Sequence, residues 1–150
     1  MKNILIKGSG DVTSEKKFLD LITQEARKNY VVVICGGGSK INKALKDAGY
    51  SIQFDDFGRR IAKTSEEKVI VQNVLEKERN LLQNKFDKKN VFVLSPIIYA
   101  GTTTCHINGD DLTKAFELGF DQIFVVTKTK RIEKKKEIFK NHPKVTIIGI

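Results

Sequence analysis

The sequence predicts an α/β fold: three layers, α/β/α, around a mainly parallel sheet. Three observations carry this. Apolar runs of strand length recur at Ile4–Lys7, Val31–Cys35, Val91–Ser95, Ile123–Thr127 and Val145–Ile148. Segments with helical spacing of apolar residues lie between them, and strands alternating with helices make crossovers that cover both faces of a parallel sheet. Finally, the glycine-rich and polar clusters follow the carboxyl ends of strands, where open parallel sheets place functional loops.

The elements follow in order. Ile4–Lys7 is a short strand reached directly from Met1-Lys2-Asn3, without a signal-peptide pattern. Phe18, Ile22 and Ala26 fall at a spacing of four and predict a first helix. Val31–Cys35, rich in β-branched residues, runs into Gly36-Gly37-Gly38 and reads as a buried parallel strand. Ser39 to Lys46 has helical spacing, with Ile41 and Leu45 on one side. Thr64 and Glu67 form a capping box ahead of a long helix carrying Val69, Ile70, Val74, Leu75, Leu81 and Leu82. Val91–Ser95 leads into a long polar loop, Pro96 to Gly109. Asp111 to Leu118 predicts another helix, with Gly119 suited to its C-terminal cap. Ile123–Thr127 and Val145–Ile148 flank a basic stretch in which Ile132 and Phe139 keep helical spacing.

Composition bounds the function. A chain of 150 residues with 40% hydrophobic and 30% charged residues is globular in character, and its length suggests one domain. No apolar run approaches the ~20 residues of a membrane span, so no membrane partner is expected. Two cysteines, Cys35 and Cys105, are too few for a disulfide framework or a structural zinc site. A reducing, cytoplasmic setting and a homo-oligomer are the expectations, and no metal-ligand set is visible. The net charge of +9 is concentrated late in the chain: Lys128 to Lys144 holds eight Lys/Arg against two Glu. Such a segment suits nucleic acid or a nucleotide's phosphates, or it is a solvated helix face. The interleaved Ile132 and Phe139 favour the solvated face, which makes a nucleic-acid partner the weaker reading.

Four loops fall on one rim of the sheet. They are Lys7-Gly8-Ser9-Gly10-Asp11, Gly36-Gly37-Gly38, the stretch ending His106-Ile107-Asn108-Gly109-Asp110, and Thr127-Lys128-Thr129-Lys130-Arg131. The glycines can bring backbone N–H groups close to an anion at a helix start, or they can form a tight turn. A strand-end lysine, glycine-rich turns and an aspartate at a helix start are parts used in phosphoryl transfer, where the protein positions and neutralises charge.

These residues carry a resemblance. The chain resembles the amino-acid kinase superfamily, which includes acetylglutamate, uridylate and carbamate kinases and aspartokinase. Lys7-Gly8-Ser9-Gly10-Asp11 is similar to the Lys-x-Ser-Gly-Glu opening of uridylate kinases. Cys35-Gly36-Gly37-Gly38 with Ile41-Asn42 resembles the His-Gly-Gly-Gly-x-x-Ile-Asn of acetylglutamate kinases. Gly58-Arg59-Arg60-Ile61 resembles their Gly-x-Arg-Val, His106-Ile107-Asn108-Gly109-Asp110 their Asn-x-Asn-Ala-Asp, and Phe124-Val125-Val126-Thr127-Lys128 the strand entering the nucleotide site. The likeness spans nearly the whole chain.

The resemblance implies a carbamate kinase-like three-layer fold and a specific set of roles. Lys7 and Asp110 would be catalytic, with Asp110 holding Lys7 in place. Gly36, Gly37, Gly38, Arg60 and Asn108 would bind the substrate, although register alone decides whether Arg59 or Arg60 points inward. Ser9, Gly10, Thr127 and Lys128 would bind the cofactor, ATP, with or without Mg2+. The reaction implied is phosphotransfer to a carboxylate or phosphate acceptor. The alternative is a non-catalytic, ligand-binding or regulatory member of the fold.

Departures from the family pattern weigh on the second half of the chain. The family's Gly-Gly-Met-x-x-Lys segment, with its second phosphate-binding lysine, is absent. Lys130, Arg131 and Ile132 replace its Asp-Gly-Val, and His106 and Ala62 stand where the family has Asn and Thr. The acceptor half is therefore largely present and the nucleotide half reduced. Ligand binding is expected to outlast phosphotransfer and to depend on Lys7 more than on any lysine of the basic stretch, Lys135 included.

Overall fold

The computed structural model, described at residues 1–87 and 89–150, turns the five apolar runs into five parallel strands of one sheet. In chain order the elements are β1 (Asn3–Gly8), α1 (Lys16–Ala26), β2 (Tyr30–Cys35), α2 (Gly38–Asp47), β3 (Gln53–Phe54), β4 (Arg60–Ile61), α3 (Ser65–Gln83), β5 (Val91–Leu94), β6 (Ile97–Ala100), β7 (Thr103–His106), α4 (Gly109–Ala115), β8 (Gln122–Thr127), α5 (Ile132–Ile138) and β9 (Val145–Gly149). The sheet runs β5-β2-β1-β8-β9, and each neighbouring pair is parallel. Strand β1 is therefore central. The chain winds first toward β5 and later returns to β8 on the other side, so the order reverses beside β1. Open α/β sheets bind ligands at that crevice.

Because successive strand side chains point to opposite faces, the sheet feeds two cores. Ile4, Ile6, Val31 and Val33 pack with Phe18 and Ile22 of α1 on one face. Leu5, Ile34 and Val125 pack with Leu112 of α4 and Phe139, just past α5, on the other. A side chain the size of Ile22 contributes about 1.5–3 kcal/mol when fully buried. The third cluster joins α2 to α3 through Ile41, Leu45, Val71 and Leu75.

The helices differ from the sequence expectations in instructive ways. Thr64 Oγ1 accepts the Glu67 N–H at 3.1 Å and Glu67 Oε2 accepts the Thr64 N–H at 2.8 Å, which fixes the start of α3. The same helix buries Val71, Leu75 and Leu82, while Val69 and Leu81 are exposed. One face of this helix can meet the sheet and α2, and these two side chains lie outside it. Helix α4 begins at Gly109, not Asp111, because Asn108 caps it and its Oδ1 accepts the Asp110 N–H at 2.8 Å. Glu117–Gly119 is a separate 3₁₀ turn.

Two hairpins stand outside the main sheet. The expected loop from Pro96 to Gly109 contains the antiparallel pair β6–β7, which turns at Gly101 with φ +59°. Its short apolar run, Ile97 to Ala100, is mostly exposed, and Thr103 to His106 opposite it is polar apart from Cys105. The pair β3–β4, with Phe54 opposite Arg60, is shorter still. Among the described residues, no helix is long and apolar enough to cross a membrane.

Candidate functional site

Strands β1 and β2 end side by side, Gly8 opposite Cys35, and the turns that follow meet backbone to backbone. A Cβ on Gly10 would lie 2.7 Å from the Gly38 nitrogen, and one on Gly36 would lie 2.7 Å from the Gly10 nitrogen. No ordinary side chain tolerates that approach. None of Gly36, Gly37 and Gly38 has positive φ, so close approach, and not a left-handed turn, explains Gly36, whereas a Cβ on Gly38 would meet nothing. Gly37 caps α2, whose first-turn N–H groups have no carbonyl four residues back. Cys35, fully buried behind them, has its thiol pushed up to about 12 by burial, so it packs as an apolar group.

Lys7 pairs in register with Ile34 and Val125, which puts its stem on the face covered by α4. It runs beneath the start of that helix, where a Cβ on Gly109 would lie 3.2 Å from Lys7 Cε. The cap at Asn108 sets Asp110 in the first turn, with its Oδ1 3.0 Å from Lys7 Nζ. Lys135 of α5 meets the other carboxylate oxygen. All three side chains are nearly enclosed, at 8%, 12% and 12% exposure for Lys7, Asp110 and Lys135.

The charges in this triad are interdependent. Burial pushes the Asp110 carboxyl up, but Lys7 and Lys135 outweigh it and hold the group below its ordinary value. Burial, and then the like charge of Lys7, pull the Lys135 ammonium below its ordinary value. Arg60 is the inward member of its pair. It donates to Asn42 Oδ1 at 2.6 Å and to the Gly38 carbonyl at 3.0 Å, and burial lowers its pKa. Arg59 turns to Asp55 at 2.7 Å. His106 Nε2 lies 2.9 Å from the Arg60 carbonyl, a structural contact.

These groups open on one cavity of about 680 Å3. Lys7, Ser9, Gly10, Gly36, Gly37, Gly38, Arg60, Asn108 and Asp110 all line it, so the structure brings together most of the residues singled out in the sequence. Thr127 and Lys128 do not. Thr127 is fully buried, with its hydroxyl 3.3 Å from Ser9 Oγ, and Lys128 pairs with Glu15. The Ser9 N–H already donates to the Val126 carbonyl at 3.1 Å, so it is not free to meet a phosphate as expected.

Lys135 is a residue that sequence reasoning did not place at the site, and the structure sets it in the cavity wall against Asp110. A signal was present: it sits three residues after Ile132 and four before Phe139, on the face that α5 buries. Arg131 also lines the cavity and pairs with Asp11. In all, five cationic side chains and three carboxylates surround the space. Among the described residues, no His, Cys, Asp and Glu side chains gather as a metal site.

No family model matches the chain, and no curated protein matches it in sequence. Solved structures do match in fold. One is N-acetylglutamate synthase from Neisseria gonorrhoeae complexed with coenzyme A and N-acetyl-glutamate, with a TM-score of 0.61 at 10% identity. It covers 99% of this chain and 54% of the synthase. The same enzyme complexed with coenzyme A and L-arginine matches with a TM-score of 0.60 at 9% identity, over 99% of this chain and 56% of its own. This chain therefore spans about half the length of the proteins it resembles. These findings correct the expected membership of the amino-acid kinase superfamily, and with it ATP and phosphotransfer: the matched structures are synthases carrying coenzyme A, and at such low identity the likeness shows a shared α/β fold.

Proposed function

We propose that the chain binds a small anionic ligand, a carboxylate or phosphate, in the cleft at the carboxyl end of β1 and β2. One observation carries this reading: Lys7 and Lys135 converge on the single carboxylate of Asp110 at the wall of the cavity. Two ammonium groups against one carboxylate leave an uncompensated positive charge in a nearly enclosed place. An incoming anion supplies the missing counter-charge and gains charge-assisted hydrogen bonds. The first-turn amides of α2 add donors from the opposite wall. Arg60 and Asn108 flank the space and orient the ligand. The compounds in the two synthase structures, N-acetyl-glutamate and coenzyme A among them, carry anionic groups and agree with this reading.

The test is calorimetry and thermal shift with inorganic phosphate, N-acetyl-glutamate and coenzyme A as probes. A ligand that binds the folded chain raises its melting temperature by mass action. Binding of at least one probe is expected, with about a tenfold or larger loss in both Lys7→Ala and Lys135→Ala. Equal weakening by Lys140→Ala, at an exposed position far from the triad, would reduce the effect to diffuse electrostatics and overturn the proposal.

A further inference from the structure

A second cavity, of about 520 Å3, opens on the far side of Asp110. It shares Gly58, Arg59, Asn108, Asp110, Asp111 and Lys135 with the first, so the two are compartments of one cleft. Its own residues are Phe57, Lys114, Lys134 and Ile138: two cations and two apolar groups. Phe57 is 82% exposed at the tip of the β3–β4 hairpin, with the Arg59 guanidinium 5.0 Å over its ring. Lys114 sits 5.8 Å over the Phe139 ring and only loosely meets Asp111, at 3.8 Å. Lys134 has no acidic partner among the described residues. Asp110 and Asp111, both shared with the first compartment, are the carboxylates that line it.

We propose that this compartment is a second anion subsite, and that the ligand is an elongated molecule with an anionic group at each end of an apolar stem. This rests on the anion-binding reading of the first compartment. One end meets Lys7 and the α2 amides, the stem passes Lys135 and lies along Phe57 and Ile138, and the far end meets Lys114 and Lys134. Phe57 then has a purpose at an exposed hairpin tip, where an aromatic side chain otherwise gains nothing from burial. Once the first end is held, the second contact is intramolecular, so it gains affinity without a second loss of translational freedom.

Calorimetry with inorganic phosphate and the series succinate, adipate, suberate and sebacate tests the idea, with hexanoate and octanoate as single-ended controls. One of the longer dicarboxylates is expected to bind about tenfold more tightly than the monocarboxylate of the same length, with affinity peaking at an intermediate length. In Lys114→Ala/Lys134→Ala that advantage should collapse to parity. In Phe57→Ser, which disturbs no buried group, it should shrink. Parity of mono- and dicarboxylates in the unaltered chain, with phosphate still bound and lost on Lys7→Ala, would overturn the second subsite and leave the first. Failure of every anion to bind would overturn both.

Discussion

Asp110 holds two nearly enclosed lysines on one carboxylate, so stability and the proposed anion binding meet in a single side chain. Removing one partner of a buried ion pair leaves an uncompensated charge and costs about 3–5 kcal/mol. Asp110→Asn should therefore lower the melting temperature sharply, and added phosphate should restore more of it than it adds to the unaltered chain. Differential scanning fluorimetry measures both. The pH dependence follows from the two shifts. Asp110 is depressed in the fold, so its contribution is present above the ordinary carboxylate pKa of about 3.9 and is lost as pH falls through its lower folded value. Lys135 is also depressed, but it is a cation, so its charged form is the unfavourable one. Raising pH through its folded value relieves that cost and removes a charge the ligand needs. Stability from this group should rise while phosphate affinity falls, at a pH below about 10.4. In Lys135→Arg, parallel titrations by calorimetry should show the affinity loss abolished.

At the scale of elements, the capping box of α3 and the glycine contact between the first two turns are the clearest targets. Thr64→Ala should cost about 1 kcal/mol in urea denaturation, because the Glu67 N–H loses its acceptor. Gly36→Ala should cost about 1–3 kcal/mol from overpacking and should also weaken phosphate binding, since the turn carrying α2 must shift. A destabilised variant with unchanged affinity would refute that coupling. The five strands were legible in the sequence because each is an apolar run of strand length with glycine or polar residues after it. The two hairpins were not: Ile98, Tyr99 and Phe54 are exposed, so no alternation of burial marked them. The position of Lys135 was legible only through its spacing from Ile132 and Phe139. Its neighbours Lys134 and Lys136 are exposed, and within such a run of like residues only that spacing separates the inward member from the other two. Most residues of the kinase-like motifs line the cleft, though not Thr127 or Lys128, but motif geometry does not fix the chemistry.

Across the whole molecule, burial is concentrated around β1, β2 and β8, most of whose side chains are enclosed between two helical layers. Hydrogen–deuterium exchange should be slowest at Leu5, Ile6, Val33 and Val125, and fast at β3–β4 and β6–β7. Thiol labelling should follow the same division, with Cys105 modified in the native state and Cys35 only on global unfolding.

The pairing of β1 with β8 also bears on time. Ile4 faces Gln122, Lys7 faces Val125, and the lysine that completes the triad lies later still, at position 135. Contacts between such distant parts of the chain must pay loop closure before they return any enthalpy, which slows folding. During synthesis the first strand emerges long before its partner, with its apolar edge waiting. The two ion pairs on Asp110 are complete only once residue 135 has been made and α5 has docked. On the anion-binding reading proposed above, an incoming anion meets its full set of charges only after α5 is in place.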